Sequence, residues 1–152
     1  MAVVYLALGA NQGNRRRSMV TAAALLAERA GDVLSISSFY ETEPWGFVSD
    51  NIFLNAALKL RTSLSPRELL AMTQEIEKEL GRQQKSDGEY HDRPIDIDIL
   101  LYDDLVMDTP ELVIPHPLML QRRFVMDPLV EIAPAVIHPV EHRRLDELMK
   151  QL

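Results

Sequence analysis

The sequence predicts an α+β fold with a ferredoxin-like βαββαβ core: a mainly antiparallel sheet, helices on one face, and a Pro-rich C-terminal extension. Three observations carry this. Apolar β-branched runs and stripes of helical period follow one another as strand, helix, strand, strand, helix, strand. The second helix opens on a capping box, Ser65-Pro66-Arg67-Glu68, with proline at the first helical position. The last strand, within Arg93 to Leu101, alternates Asp96 and Asp98 with Ile95, Ile97 and Ile99, so the carboxylates share one face and the isoleucines the other.

Val3 to Leu8 reads as the first strand, and Gly9 to Asn14 after it as a turn-rich loop. Met1 to Ala10 has no basic leader, so a strand is expected there rather than a signal peptide. Asn14 is placed to cap a helix in which Met19, Ala22, Ala23, Leu26 and Ala30 recur at helical spacing, and Gly31 stops it. Val33 to Thr42 reads as one second strand, ended by Glu43-Pro44-Trp45-Gly46. In Ile52 to Leu60, the set Ile52, Leu54, Ala56, Leu58 and Leu60 is expected to face the core, with Phe53, Asn55, Ala57 and Lys59 opposite.

Leu69, Met72, Thr73, Ile76 and Leu80 form the stripe of the second helix, closed by Gly81; Gln74 and Glu77 fall on its polar, solvated side and receive no role. Arg82 to Asp92 is polar, aperiodic and contains Gly88, a loop long enough to be functional. Beyond the acidic strand, Asp103-Asp104 is expected to turn the chain into a hairpin with Leu105-Val106-Met107. From Thr109 onward the prolines at 110, 115, 117, 128, 134 and 139 divide the chain into short pieces, and only Leu145 to Leu152 reads as a helix.

The 152 residues are expected to form one domain, 1–152. A net charge of −7 argues against nucleic acid or an anionic membrane as partner, since both require an excess of Lys and Arg. The absence of cysteine removes disulfides, thiolate catalysis and Cys-zinc sites, and fits a cytoplasmic location. His91, His116, His138 and His142 lack metalloprotease spacing.

An Asp/Ile alternation taken alone describes a half-buried strand with an acidic wet face. Here, helices packed against the isoleucines leave Asp96, Asp98, Phe53 and Asn55 together on the open side. Two carboxylates with Cα atoms about 6–7 Å apart suit Mg²⁺, which is held by one or two carboxylates plus substrate phosphates. Arg82, Lys85, His91 and Arg93, with His116, Arg122 and Arg123 downstream, offer donors for phosphates. No GxxxxGK[ST] is present, so a P-loop is excluded.

Several stretches together resemble a known family. They are Gly9-Ala10-Asn11, Ser38-Phe39-Tyr40-Glu41-Thr42, Phe53-Leu54-Asn55-Ala56-Ala57, Gly81-Arg82, Arg93-Pro94-Ile95-Asp96-Ile97-Asp98-Ile99, and Pro115-His116 followed by Arg122-Arg123-Phe124. The family is 6-hydroxymethyl-7,8-dihydropterin pyrophosphokinase, and the likeness covers essentially the whole chain. The resemblance implies transfer of the β,γ-diphosphate of MgATP to the pterin hydroxymethyl group, giving AMP and the pterin diphosphate on the route to folate. It implies that Asp96 and Asp98 hold two Mg²⁺ ions, that Arg82 and Arg93 neutralise the transferring diphosphate, and that Lys85, Ile99, His116 and Arg122 serve the ATP side. Phe53 and Phe124 would sandwich the pterin, Asn55 would bond its edge, and Thr42, Pro44, Trp45 and Gly46 would close that end. The small-molecule substrates ATP and dihydropterin are the expected partners, and a monomer is expected. The chain departs from the family's usual pattern at Phe53, where Tyr is common, at Tyr90-His91-Asp92, where Trp and Gly-Pro are common, and at Glu43, where Pro is common.

Two rival readings use the same fold. A two-metal nucleotidyl transferase would also need paired strand carboxylates, but Phe53, Phe124 and Asn55 favour a flat heterocyclic acceptor. A non-catalytic ligand-binding module is the other; RNA binding would call for a basic, aromatic third strand, and Ile52 to Leu60 has one aromatic and one lysine.

Overall fold

A computed structural model describes residues 1–43, 52–81 and 94–152. Its elements are β1 (Ala2–Ala10), α1 (Arg15–Arg29), β2 (Asp32–Ile36), β3 (Tyr40–Thr42), β4 (Phe53–Thr62), α2 (Pro66–Glu79), β5 (Asp96–Tyr102), β6 (Met107–Asp108), β7 (Val113–Ile114), α3 (Arg123–Ile132) and α4 (Leu145–Met149). The main sheet runs β2-β4-β1-β5, with β3 also paired to β4, and every pairing is antiparallel. β6 and β7 form a separate two-stranded ribbon. Among the described residues no helix is long and apolar enough to cross a membrane.

The local signals explain the helices. Asn14 Oδ1 accepts from Arg17 N at 3.1 Å and starts α1. The capping box of α2 closes in both directions, with Glu68 N donating to Ser65 Oγ and Ser65 N donating to Glu68 Oε1. Gly31 between α1 and β2 is required sterically: a Cβ there would stand 2.1 Å from the carbonyl oxygen of Arg61. Paired with Glu79 of α2, Arg29 of α1 fastens the two helices.

The core lies between these helices and one face of the sheet. Val4, Leu6, Leu8, Leu58, Leu60, Ile97 and Ile99 meet Met19, Ala22 and Leu26 of α1 and Leu69 and Ile76 of α2, all buried. Each such leucine or isoleucine contributes about 1.5–3 kcal/mol by leaving water. The face expected for β4 holds from Leu54 to Leu60, whereas Ile52 stands before the strand and is exposed.

Five expectations are corrected. Val33 to Thr42 is two strands, because Ser37 turns its hydroxyl onto the ladder, with Ala57 N donating to Ser37 Oγ at 2.8 Å. Helices cover both faces of the sheet: α3 and α4 pack Val125, Met126, Leu129, Leu145 and Leu148 against Tyr5, Ala57, Leu100 and Leu101. The sequence hid α3 because Pro128 lies inside it; the proline removes one backbone hydrogen bond near the first turn and buries its ring instead. The chain after Asp103-Asp104 pairs not with β5 but with β7, through Met107 and Ile114. The terminal helix ends at Met149. Glu77 is 2% exposed and accepts from Ile97 N at 2.7 Å; it continues the Thr73, Ile76 stripe at i+4, a position that charge alone disguised.

Candidate active site

The second face of the sheet, apart from what α3 and α4 cover, carries the site. Cross-strand pairing sets Tyr40, Asn55, Gly9 and Asp96 in one row across β3, β4, β1 and β5, and Ala57, Ala7 and Asp98 in the row two residues on. Strands lie about 4.8 Å apart, so Asn55 and Asp96 stand about 10 Å apart across the gap that Gly9 leaves open. Gly9 belongs to β1 and not to a turn. A Cβ on it would approach Asn55 Oδ1 to 3.0 Å and Phe53 Cδ1 to 4.0 Å. Its missing side chain therefore makes room for the amide. Asn55 is 6% exposed, and its Nδ2 donates to Thr42 Oγ1 at 2.5 Å, which fixes the direction of the amide and turns Oδ1 toward the floor.

These residues line one open cleft. Ala7 and Gly9 are its floor; Thr42, Glu43, Phe53 and Asn55 form one end; Asp96 and Asp98 form the other. Arg122, Phe124 and Val125, at the start of α3, form the roof. Asp96 and Asp98 are both half-buried and open onto the cleft. Among the described residues no group of three or more His, Asp or Glu converges as a metal cage; a carboxylate pair that leaves coordination positions for phosphate oxygens is the donor set Mg²⁺ takes.

Arg122 is 3% exposed, and its guanidinium carbon lies 5.7 Å from the centre of the Phe124 ring. Burial lowers its pKa to about 10, so it remains a cation at neutral pH. Below the roof, Glu131 of α3 accepts from Ser38 N at 2.9 Å, Ser38 Oγ at 3.3 Å and Tyr40 Oη at 2.6 Å. These hydrogen bonds hold the Glu131 carboxyl below its usual range and push Tyr40 up to about 12.

Of the residues expected to form the site, Thr42, Phe53, Asn55, Asp96, Asp98, Arg122 and Phe124 come together around the cleft. Ile99 does not: its side chain is buried against the helices and it does not line the cleft. His116 follows the cis Ile114-Pro115 bond, donates its N–H to Leu100 O and accepts from Leu118 N at Nδ1, which leaves the proton on Nε2. Arg123 is exposed and pairs with Asp127 at 3.4 Å. Arg82, Lys85, His91, Arg93, Pro44, Trp45, Gly46 and the loop Arg82 to Asp92 lie outside the described residues. Sequence reasoning missed the floor, Ala7 and Gly9; two small residues at alternate positions of an otherwise bulky strand were the available signal.

Comparison with known proteins gives one answer. The family 7,8-dihydro-6-hydroxymethylpterin-pyrophosphokinase matches residues 5–134. A 2-amino-4-hydroxy-6-hydroxymethyldihydropteridine pyrophosphokinase from Porphyromonas gingivalis is 54% identical over 141 residues, covering 91% of this chain and 95% of the relative. One of the same name from Aquifex aeolicus is 45% identical over 147 residues, covering 97% and 90%. The fold matches a crystal structure of Plasmodium falciparum HPPK-DHPS, wild type with pteroate, at a TM-score of 0.79 and 16% identity, over 99% of this chain and 42% of that longer one. The profile match over most of the chain and the identity to these relatives place it in one family: the chain belongs to the 7,8-dihydro-6-hydroxymethylpterin-pyrophosphokinases.

Proposed function

We propose that the cleft between Asn55 and the Asp96/Asp98 pair is where this chain performs its family's reaction. The chain is an ATP-dependent diphosphotransferase: it moves the β,γ-diphosphate of ATP to 6-hydroxymethyl-7,8-dihydropterin, yielding AMP and the pterin diphosphate in folate biosynthesis. The observation that supports the placement is the pairing of Asn55, Gly9 and Asp96 across three strands, which puts an amide and a carboxylate at opposite ends of one bare floor.

The pterin lies between Phe53 and Phe124, where stacking adds about 0.5–1.5 kcal/mol beyond area burial. Asn55, directed by Thr42, bonds the amide-like edge of the ring and orients the hydroxymethyl oxygen toward Asp96 and Asp98. Asp96 and Asp98 fit as the carboxylates that would hold two Mg²⁺ ions, and the ions would supply charge neutralisation for the phosphate oxygens. Arg122 presents a buried cation beside the diphosphate. The backbone of Ile99 and the Nε2–H of His116 serve the nucleotide. On the family resemblance alone, Arg82, Lys85 and Arg93 neutralise the diphosphate, and Pro44, Trp45 and Gly46 close the acceptor end. The strand order β2-β4-β1-β5 supports the ferredoxin-like description, with α3, α4 and the Pro-rich segment as an addition to the second face. We read the chain as one domain, monomeric and cytoplasmic, with no nucleic-acid or membrane partner.

Product analysis tests the reaction. Incubation with MgATP and the hydroxymethylpterin is expected to release AMP in step with pterin diphosphate. ADP would indicate single phosphoryl transfer, and pyrophosphate release would indicate nucleotidyl transfer; either overturns the reading.

A further inference from the structure

Glu131 lies outside the cleft, exposed, in the last turn of α3. A carboxylate is disfavoured there by the negative end of the helix dipole, so its presence calls for a compensating contact. It has three, to β3 and the segment that leads into it: Ser38 N, Ser38 Oγ and Tyr40 Oη. That segment is pinned from the other side by β4, where Ser37 N donates to Ala57 O and Ala57 N to Ser37 Oγ, each at 2.8 Å.

Both ends of this clamp lead to the cleft. Tyr40 is the cross-strand partner of Asn55, and Thr42, on the same short strand, holds the Asn55 amide. On the helix, Phe124 and Glu131 are seven residues apart, two turns, so they project from one side about 10 Å apart along the axis. The helix side that sets Phe124 over the cleft thus sets Glu131 on Ser38 and Tyr40.

We propose that Glu131 is a positioning residue for acceptor binding: by fastening α3 to the strand beside Asn55, it sets the width of the slot between Phe124 and the Phe53/Asn55 wall. The proposal rests on the placement of the pterin in this cleft. Without the clamp α3 can swing away from β3 about its packed apolar side, and the slot loses its match to one flat ring. The carboxylate ends of the cleft, on the far side of Gly9, do not depend on it.

Calorimetry of pterin and of an unreactive MgATP analogue, on the whole chain, tests this. Glu131→Ala is expected to raise the Kd for pterin about tenfold and that for MgATP less than about twofold. Glu131→Gln, which keeps an acceptor oxygen, recovers part of the loss. Tyr40→Phe removes one of the three bonds and should cost about threefold, which keeps the test open if the alanine variant folds poorly. In a Phe124→Ala background, adding Glu131→Ala should weaken pterin no further. Pterin affinity unchanged in both Glu131→Ala and Tyr40→Phe, while Phe124→Ala still weakens it, would refute the clamp and spare the cleft; so would equal losses of pterin and MgATP. No effect of Phe124→Ala itself would refute the cleft's role and the clamp with it.

Discussion

Around the cleft, the same strands carry large side chains on the face toward α1 and α2 and mostly small or polar ones on the other, whose remaining part packs Tyr5, Leu100 and Leu101 under α3 and α4. Toward α1 and α2, β1, β4 and β5 present Leu6, Leu8, Leu58, Leu60, Ile97 and Ile99, each no more than 4% exposed. On the opposite face the positions that floor and flank the cleft include Ala7, Gly9, Asn55, Ala57, Asp96 and Asp98. The first set fills space and the second leaves it. Because side chains alternate with a period of two, packing and chemistry are separated without any extra element, and a one-residue slip of register would exchange them. Beside the cleft, packing residues therefore stand one residue away from the candidate site residues along each strand.

Substitutions on the two faces should accordingly fail in different ways. The largest expected effect is Asp98→Asn: one carboxylate charge is lost from the pair while size and burial are kept, and turnover should fall by about 10²–10³-fold or more with the unfolding midpoint nearly unchanged. Steady-state AMP release and thermal unfolding measure the two quantities, and near-normal turnover at saturating Mg²⁺ would remove Asp98 from the chemistry. Leu58→Ala, on the covered face of the neighbouring strand, reverses the pattern. It should cost about 2–5 kcal/mol in denaturant unfolding through the cavity it leaves, and at a temperature where the variant remains folded the affinities for both substrates should hold.

Gly9→Ala is smaller and sharper. A methyl group there meets Asn55 Oδ1 at 3.0 Å while Thr42 holds the other end of the amide. Pterin binding should weaken about three- to tenfold, from one displaced hydrogen bond, with MgATP binding and global stability little changed. If Asn55→Ala is already present, adding the methyl should have almost no further effect. An additive loss instead would mean that Gly9 matters for something other than room for the amide.

The order of elements in the main sheet, apart from the break between β2 and β3, was legible where two signals agreed. Periodicity and the Ser65/Glu68 box coincided for α2, and the Asp/Ile alternation fixed which way β5 faces. What stayed hidden had one signal contradicted by another. Pro128 concealed α3, and this helix roofs part of the face that the sequence leaves open. The charge of Glu77 concealed its place in a buried stripe, where it satisfies the Ile97 N–H of the Asp96/Asp98 strand. Gly9 looked like the start of a turn, and its place in β1 follows only from the register with Asn55 and Asp96. The glutamate clamp at Ser38 and Tyr40 joins residues more than ninety apart in sequence, a contact no local pattern can announce.

The most direct test of the division between the two faces is to locate the ions. Crystals grown with Mn²⁺ in place of Mg²⁺, an unreactive ATP analogue and the pterin would reveal the metals by anomalous scattering. Two peaks about 2.0–2.3 Å from carboxylate oxygens of Asp96 and Asp98, with the pterin on Asn55 across the Gly9 floor, are the expected result. Manganese lying away from both aspartates, or bound unchanged in the Asp98→Asn protein, would contradict it.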